Sequence, residues 1–211
     1  MTTYGEGLQN SECVSPGFEY DALIIKPALL LHSCCGPCSA PVIEELAYEF
    51  AVTVYFYNPN ITDRDEYIKR LESQKKFIDE FNNRISRPDN VCFIEGEYDP
   101  ESFLCAAIGF EEEPEGGERC RKCFRLRLEK TAETAILRGF DCFATTLSAS
   151  PYKNYSAISE IGKDICARYG IGFIDRDFKK NGGYQRSLEL SKKYSLYRQG
   201  YCGCEFSKGE K

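Results

Sequence analysis

The sequence predicts an α/β fold in which a parallel sheet of about five strands is flanked by helices. Short apolar or β-branched runs, typical of buried strands, alternate with longer segments whose apolar residues recur at a helical period. The length of 211 residues suits one domain with a full core. The three motifs with the clearest chemistry, CCGPC, NPN and SPYKN, each follow a predicted strand, at the end of the strand where parallel sheets bind ligands.

The first two strands each precede a helix. ALLLHS is a short apolar run and predicts a buried strand over Ala28–Ser33. After a Gly-Pro loop, apolar residues at a helical spacing predict a helix over Ala40–Phe50. The β-branched and aromatic run Val52–Tyr57 predicts the second strand, which the Asn-Pro-Asn motif ends. A charged segment with periodic apolar residues predicts a helix over Asp63–Phe81.

The middle of the chain continues the alternation. Val91–Ile94 predicts the third strand, and Pro100–Ile108 predicts a short helix. Gly109–Glu118 (GFEEEPEGGE) is an acidic, glycine-containing segment and predicts a loop. Periodic Leu, Ala and Ile residues then predict a helix over Cys120–Leu137.

The last third predicts two more strands and two more helices. Cys142–Leu147 predicts the fourth strand, and the motif SASPYKN predicts a loop before a helix over Tyr155–Tyr169. Gly172–Ile174 predicts a short fifth strand, and Gln185–Tyr194 predicts a final helix before a cysteine-bearing C-terminal tail. Residues 1–26 have weak periodicity and predict an irregular extension, which leaves 27–211 as a single domain.

Composition excludes several classes of protein. Apolar residues make up 42% and charged residues 28% of the chain, a balance typical of globular proteins and not of disordered chains, collagens or coiled coils. No apolar run in the sequence comes near the roughly 20 residues that a membrane span needs. No basic region leads an apolar stretch near Met1, so we expect a cytoplasmic protein with no membrane partner.

The charge is distributed unevenly along the chain. Residues 1–118 hold 8 Lys/Arg and 23 Asp/Glu, a net charge of −15, whereas residues 119–211 hold 19 Lys/Arg and 10 Asp/Glu, a net charge of +9. This asymmetry fits an anionic partner for one side of the molecule, and it fits equally a dipolar surface without a partner.

Twelve cysteines and a single histidine point to thiolate chemistry. In a reducing compartment, clustered cysteines more often bind metals or carry redox chemistry than form disulfides, and thiolates select zinc and iron–sulfur clusters. Seven of the twelve are clustered. They are Cys34, Cys35, Cys38, Cys120, Cys123, Cys202 and Cys204.

Seven thiolates are more than one metal centre needs. A structural zinc ion or a cubane cluster takes four, which leaves three for a second metal with open coordination, or for a redox pair and a spare thiol. We expect the adjacent Cys34 and Cys35 to point in different directions and so to serve different centres.

The SPYKN loop supplies two further candidates. Lys153 could bind phosphate or donate a proton, or it could be a solvated loop lysine. Tyr152 could stack on a nucleobase or donate a proton, or it could be a loop aromatic without a function.

Six motifs together resemble the QueH family of cobalamin-independent epoxyqueuosine reductases. They occur in the order LLLHSCCGPCSAPV, FYNPNITDRDEYIKR, GERCRKCFRLRL, FATTLSASPYKN, DFKKNGGYQRSLELSK and LYRQGYCGCEFS, and they extend from about Leu29 to Ser207. The resemblance implies a Rossmann-like, HUP-type fold and a 4Fe–4S cluster beside a thiolate-bound iron. It also implies reduction of epoxyqueuosine to queuosine in tRNA, the last step of that modification.

The resemblance leads to a working hypothesis about individual residues. Four cysteines are assigned to the 4Fe–4S cluster: Cys35, Cys120, Cys123 and Cys202. Three are assigned to a second mononuclear metal, iron or zinc: Cys34, Cys38 and Cys204. Tyr152 and Lys153 are the catalytic candidates for proton transfer. The partners are tRNA carrying epoxyqueuosine at the wobble position and an external electron donor that no motif identifies.

Two other functional classes agree with the same residues. One is a zinc-bound module that binds nucleic acid without catalysis. The other is a cysteine-rich electron carrier or disulfide reductase that acts on small thiols, for which the C-x-x-C spacings are suggestive.

Overall fold

The computed structural model describes residues 26–84 and 90–208. Within these ranges, five parallel strands form one sheet and six α-helices flank it, which confirms the predicted α/β, Rossmann-like fold. The strands are β1 (Ala28–His32), β2 (Ala51–Phe56), β3 (Cys92–Glu95), β4 (Cys142–Thr145) and β5 (Gly172–Phe173). The helices are α1 (Gly36–Leu46), α2 (Arg64–Arg84), α3 (Pro100–Ala107), α4 (Glu118–Leu137), α5 (Tyr155–Tyr169) and α6 (Gly183–Lys193). The predicted extension over residues 1–26 lies, apart from Lys26, outside the described residues.

The sheet has the strand order β3-β2-β1-β4-β5, so β1 is central. The chain moves outward from β1 to β3 and then returns to the other side of β1 as β4. Strand order therefore reverses between β1 and β4, and a crevice opens at the carboxyl ends of these two strands. Residues that follow β1, β2 and β4 are brought to the same edge of the sheet.

Helices cover both faces of the sheet. Alternate residues of β1 point to opposite sides: Leu29 and Leu31 join one core with α1, α2 and α6, whereas Leu30 joins the other with α4 and α5. All three leucines are fully buried. A strand that is apolar on both faces is what a parallel sheet with two helical layers requires.

Helix α1 begins at Gly36, four residues earlier than the sequence predicted. Pro37 lies in the first turn of α1, where backbone N–H groups make no hydrogen bond within the helix. The N–H that proline lacks is therefore not needed, and the Gly-Pro pair starts the helix instead of prolonging the loop. Pro41, inside the helix, leaves the carbonyl of Pro37 without its helical donor. The hydroxyl of Ser187 in α6 donates to that oxygen at 2.7 Å, which ties α6 to α1.

Strand β4 ends at Thr145, two residues earlier than predicted. A short 3₁₀ turn follows over Thr146–Ala149, and the hydroxyl oxygen of Thr145 accepts from the amide of Leu147 at 3.2 Å. This turn redirects the chain over the carboxyl end of the sheet and delivers the SPYKN loop there. No helix in the described part of the chain is long and apolar enough to cross a membrane.

Candidate metal centre

The clustered cysteines lie near the carboxyl end of the sheet in two neighbouring groups. Cys34, Cys35 and Cys38, at the connection between β1 and α1, form a trithiol group. Two cysteines from the start of α4 and two from the tail line a common cavity and form a tetrathiol group. The members of the tetrathiol group are Cys120, Cys123, Cys202 and Cys204.

The trithiol group has the spacing of ligands to a single metal ion. Its three sulfur atoms all lie within 4.8 Å of one another, and the sulfurs of Cys34 and Cys35 are 3.8 Å apart. Two thiolates bound tetrahedrally at about 2.3 Å from a metal are about 3.8 Å apart. The expectation that Cys34 and Cys35 diverge is therefore wrong, because the chain turns from strand into helix at Cys35 and brings both sulfurs to one side.

The tetrathiol group joins distant parts of the chain. Cys120 and Cys123 are one helical turn apart and share a face of α4. Cys123 and Cys204 are buried, and the sulfur of Cys120 accepts from the amide of Gly116 at 3.2 Å. Four thiols around one cavity are the donor set of a structural zinc site or a cubane iron–sulfur cluster.

Two side chains near β2 and α2 hold the tail in place. Arg70, which is 1% exposed, donates to the carbonyl oxygens of Cys202 at 3.0 Å and Tyr201 at 3.1 Å. The side-chain Nδ2 of Asn60 donates to the same carbonyl of Cys202 at 3.1 Å. Arg70 is itself paired with the buried Glu66 on the same helix. The NPN motif thus positions a ligand segment more than a hundred residues away in sequence.

Gly203, between the two tail cysteines, has a backbone conformation that favours glycine. Its φ is +103°, and a Cβ built there would lie 2.8 Å from the Cγ1 of Ile61. The absence of a side chain allows the tail to bend tightly enough for Cys202 and Cys204 to reach the same cavity.

Three cations line the cavity of the tetrathiol group: Arg119, Arg127 and Lys153. Within the described ranges, none of them pairs with a carboxylate. The Nε and Nη2 atoms of Arg119 are buried without a hydrogen-bond partner, whereas its Nη1 donates to the carbonyl of Glu111 at 2.7 Å. Buried cationic groups without an anion are costly, so this surrounding fits a negatively charged occupant such as a thiolate-ligated cluster.

One thiol in each group is acidified. Hydrogen bonds from Cys35 and Cys38 hold the pKa of Cys34 well below its usual range. A hydrogen bond from Cys204, opposed in part by burial, lowers the pKa of Cys202 to about 4. By contrast, burial raises the pKa of Cys123 to about 11. Deprotonated sulfur is the form that binds metals.

Lys153 lies between the two cysteine groups. Burial by itself lowers the pKa of Lys153, but the nearby sulfurs, first the thiolates of Cys34 and Cys202, outweigh burial and raise it. Its ammonium group is therefore charged at neutral pH. The structure thus puts the candidate Lys153 beside both groups of candidate ligands.

A second cavity, of about 80 Å³, adjoins the trithiol group. Its lining includes Cys34, Cys38, Tyr152, Lys153, Arg198 and Gln199. Lys153, Tyr152 and Cys202 also line the tetrathiol cavity, so the two cavities share a wall. Tyr152 is 65% exposed, which leaves its ring accessible at the mouth.

Several residues that position the cysteine segments are not among the ligands and catalytic candidates that the sequence predicts. Asn58 donates to the carbonyl of Ser33 at 2.9 Å and holds the end of β1, whereas Asn60, Arg70 and Gln199 contact the cysteine segments. The sequence signal for the two asparagines was the NPN motif at the carboxyl end of β2, which does not by itself show what their side chains contact. His32 is a packed core residue: Nδ1 lies 2.9 Å from Thr145 Oγ1 and Nε2 lies 3.1 Å from the carbonyl of Tyr57.

Comparison with known proteins identifies relatives along nearly the whole chain. The family model described as epoxyqueuosine reductase QueH matches residues 29–210. The epoxyqueuosine reductase QueH of Streptococcus pyogenes serotype M1 is 44% identical over 183 residues, which are 87% of this chain and 71% of the relative.

Two staphylococcal proteins with the same description are similarly close. The protein of Staphylococcus epidermidis is 44% identical over 184 residues, covering 86% of this chain and 76% of the relative. The protein of Staphylococcus aureus is 39% identical over 191 residues, which cover 90% of this chain and 79% of the relative. These matches agree with the family resemblance expected from the six motifs. The chain belongs to the QueH family of epoxyqueuosine reductases and is an oxidoreductase of queuosine biosynthesis.

Proposed function

We propose that this chain reduces the epoxide of epoxyqueuosine to the alkene of queuosine in the anticodon loop of tRNA. In this reaction both carbon–oxygen bonds of the epoxide break and a carbon–carbon double bond forms. Two electrons and two protons enter, and the oxygen leaves as water. The observation that supports this proposal best is that two cysteine groups adjoin a common wall formed by Lys153, Tyr152 and Cys202.

The spacing of the sulfurs supports a different division of the ligands from the one drawn from the sequence. We assign Cys34, Cys35 and Cys38 to the mononuclear metal, because their sulfurs lie within 4.8 Å of one another. The 4Fe–4S cluster then takes the tetrathiol group, whose four members line one cavity. Cys35 and Cys204 thus exchange places relative to the working hypothesis. Three protein ligands would leave one coordination position of a bound metal open, as in catalytic metal sites.

When bound, the cluster supplies electrons singly and the mononuclear metal supplies a Lewis acid for the epoxide oxygen. The chain's own contribution begins with Lys153. Its Nζ holds a positive charge and a proton at the wall between the two cavities. It can therefore stabilise negative charge that develops on the leaving oxygen and then donate the proton to it.

Tyr152 and Arg198 serve the substrate end of the cavity. The exposed ring of Tyr152 at the mouth suits stacking on a nucleobase, and anticodon-loop bases are single-stranded and easily splayed. The guanidinium of Arg198 lines the same cavity, and its Nη1 is held by the hydroxyl of Ser191 at 3.0 Å. Since no carboxylate in the described ranges pairs with Arg198, its charge is available to a phosphate.

The two alternative classes explain fewer of the observations. A zinc-bound module without catalysis would need the tetrathiol group alone, and the trithiol group beside the second cavity would have no role. A disulfide reductase would need two thiols, and the cations around the tetrathiol cavity would have no anionic occupant.

The proposal is tested on the full chain, purified without oxygen and reconstituted with iron and sulfide. We expect a brown protein with more iron than the four atoms of one cubane cluster. With dithionite as reductant, it should convert epoxyqueuosine in tRNA to queuosine, measured by mass spectrometry of the digested nucleosides. A colourless protein with one zinc ion would contradict the cofactors, and an iron-loaded protein without conversion would contradict the activity.

A lysine variant gives the matched activity control. Lys153→Gln should keep the iron content within the wild-type range and lose most of the conversion, because only the charge and the proton are removed. Lys130→Gln, an exposed change on the outer part of α4, should retain both.

A further inference from the structure

Gln199 connects the tail to the trithiol group. Its Nε2 lies 3.0 Å from the sulfur of Cys35, within hydrogen-bond distance for an N–H donor and a sulfur acceptor. Its Oε1 is buried and has no hydrogen-bond partner. A buried amide oxygen without a hydrogen-bond partner is unfavourable. The side chain of Gln199 is therefore oriented so that Nε2 contacts the sulfur of Cys35, although Oε1 is left without a partner.

The segment that carries Gln199 is fixed on both sides. Before it, the amide of Tyr197 donates to Ser73 Oγ at 3.0 Å. After it, Arg70 holds the carbonyl of Tyr201. The start of α1 is held independently, because Gln74 Oε1 accepts from Ser39 Oγ at 2.7 Å. Both partners of the Gln199–Cys35 contact therefore have defined positions, and the distance between them is set by the fold.

A metal-bound cysteine sulfur carries no hydrogen and can only accept. An amide that faces such a sulfur must present its N–H, as Gln199 does here. Donation to the sulfur withdraws negative charge from the ligand, which favours the more reduced state of the metal. Hydrogen bonds to ligating sulfurs are among the factors that set reduction potential and metal affinity.

We propose that Gln199 is a positioning residue for the metal of the trithiol group, and that its N–H···S hydrogen bond to Cys35 sets the affinity and reduction potential of that metal. The inference rests on the proposed role of the trithiol group as a mononuclear metal site. Since Gln199 lies three residues before Cys202, the tail carries both this donor and ligands of the neighbouring tetrathiol group. One segment thereby adjusts both centres.

The first test uses Zn²⁺ as a redox-inert probe. The metal-free full chain is titrated with Zn²⁺ in competition with a colorimetric chelator, which resolves two classes of site in the wild type. In Gln199→Leu, we expect one class to bind about 10–100-fold more weakly while the other is unchanged. Gln199→Glu keeps the shape but lacks the N–H donor, so its affinity in that class should fall at least as much. Gln185→Leu, at an exposed glutamine of α6, is the matched control and should behave as the wild type.

The second test measures the iron-loaded chain by dithionite titration followed by electron paramagnetic resonance. At a fixed potential, Gln199→Leu should shift the ratio of oxidised to reduced mononuclear iron about tenfold toward the oxidised form, equivalent to 59 mV for one electron. The signal of the cluster should titrate as in the wild type.

Three results would overturn the inference. Wild-type affinity and potential in both Gln199 variants would show that the hydrogen bond does not act on the metal. Equal weakening of both classes of Zn²⁺ site, with a lower unfolding temperature, would show a merely structural role. A wild type that binds Zn²⁺ in only one class, abolished by changing Cys123 and kept on changing Cys34, would remove the trithiol metal itself. The proposed reductase activity would then be judged separately by its own conversion assay.

Discussion

The guanidinium of Arg70 donates to the carbonyl oxygen of Cys202 at 3.0 Å across 132 positions of sequence. Arg70 and its ion-pair partner Glu66 are both buried, and Glu66 also accepts from the hydroxyl of Tyr197 at 2.7 Å. One buried ion pair on α2 therefore anchors the segment that supplies half of the tetrathiol group.

Removing one member of this pair should damage stability and metal loading together. Arg70→Met leaves the carboxylate of Glu66 buried without its cation, which should lower the free energy of unfolding by about 3–5 kcal/mol in urea titrations. Iron content per chain should also fall. Arg84→Met breaks an exposed pair with Glu80 on the same helix and should cost at most about 1 kcal/mol. Equal effects of the two changes would contradict the anchoring role.

Substitutions of individual cysteines should lower the iron content per chain by different amounts. Cys34→Ser or Cys38→Ser should remove about one iron and keep the optical spectrum of the cluster, whereas Cys123→Ser or Cys202→Ser should remove the cluster's spectrum. Iron analysis and absorption spectra measure both effects.

Cysteines outside the two groups provide the controls for this series. Cys142→Ala and Cys166→Ala should cost only packing, about 1–2 kcal/mol each, and should keep the full iron content. Loss of iron in these controls equal to that in Cys123→Ser would show that the two groups are drawn wrongly.

A side chain at Gly203 should distort the tail. Gly203→Ala introduces a Cβ at a φ of +103° and within 2.8 Å of Ile61 Cγ1, so the tail must shift. We expect reduced iron content after reconstitution together with a lower unfolding temperature. Gly200→Ala is the control, because a Cβ there meets no atom within 4 Å. Normal iron loading in Gly203→Ala would show that the tail does not need this bend.

The basic residues should contribute unequally to tRNA binding. Arg186 is engaged by both oxygens of Glu44 and by Glu189, whereas Lys192 and Arg198 have no carboxylate partner in the described ranges. Arg198→Gln and Lys192→Gln should weaken tRNA binding, and the slope of log affinity against log salt should flatten by about 0.7–0.9 for each phosphate that the variant no longer neutralises. Arg186→Gln should change binding less.

Charge reversal of the acidic loop is the control for the salt measurement. Changing Glu111 and Glu112 to Lys should not weaken tRNA binding if the basic half of the sequence faces the phosphates. Affinity that is independent of salt, or that depends on these glutamates and not on Arg198, would contradict that docking.

Acid should weaken the contact between α5 and Asp175, which lies two residues after β5. Burial by itself raises the pKa of Asp175, but Lys163, Ser159 and Tyr155 outweigh burial and lower it. Since the carboxyl pKa is lower in the folded than in the unfolded state, the stabilisation is complete above the unfolded value of about 3.9 and is lost as pH falls through the folded value. Urea midpoints should therefore differ between wild type and Asp175→Asn at pH 6 and converge toward pH 3. A constant difference would contradict this role.

Much of the fold follows from local sequence patterns. The apolar run of β1 and the helical periods of α4 and α5 are visible without tertiary information, and the alternation of strands and helices predicts the parallel sheet. The start of α1 was misplaced because Pro37 is equally compatible with a loop and with the first turn of a helix. The helical conformation at Pro37 depends on Ser187, whose hydroxyl donates to the Pro37 carbonyl that Pro41 leaves without a helical donor.

The candidate site was predictable only in part. The residue types of its ligands can be identified from short stretches of sequence, whereas the relative positions of those ligands depend on how distant segments pack. Cysteine spacing indicated which thiols are clustered, but not that the turn at Cys35 brings its sulfur to that of Cys34. The contacts of Asn60 and Gln199 join residues 142 and 164 positions apart. No periodicity or short motif encodes such pairs, which depend on how the layers of the fold pack.

The order in which the chain is synthesised has a consequence for when the tetrathiol group can form. A ribosome makes the trithiol group and the first two members of the tetrathiol group long before it reaches Cys202 and Cys204. The sheet can form on the nascent chain, since each strand in the described part of the chain precedes the tail. The four-thiol cavity, however, is closed only after the tail has left the exit tunnel and has reached Arg70 and Asn60. Insertion of the proposed cluster would therefore be a post-translational event, and a chain cut short before Cys202 would keep its strands but never acquire the complete tetrathiol group.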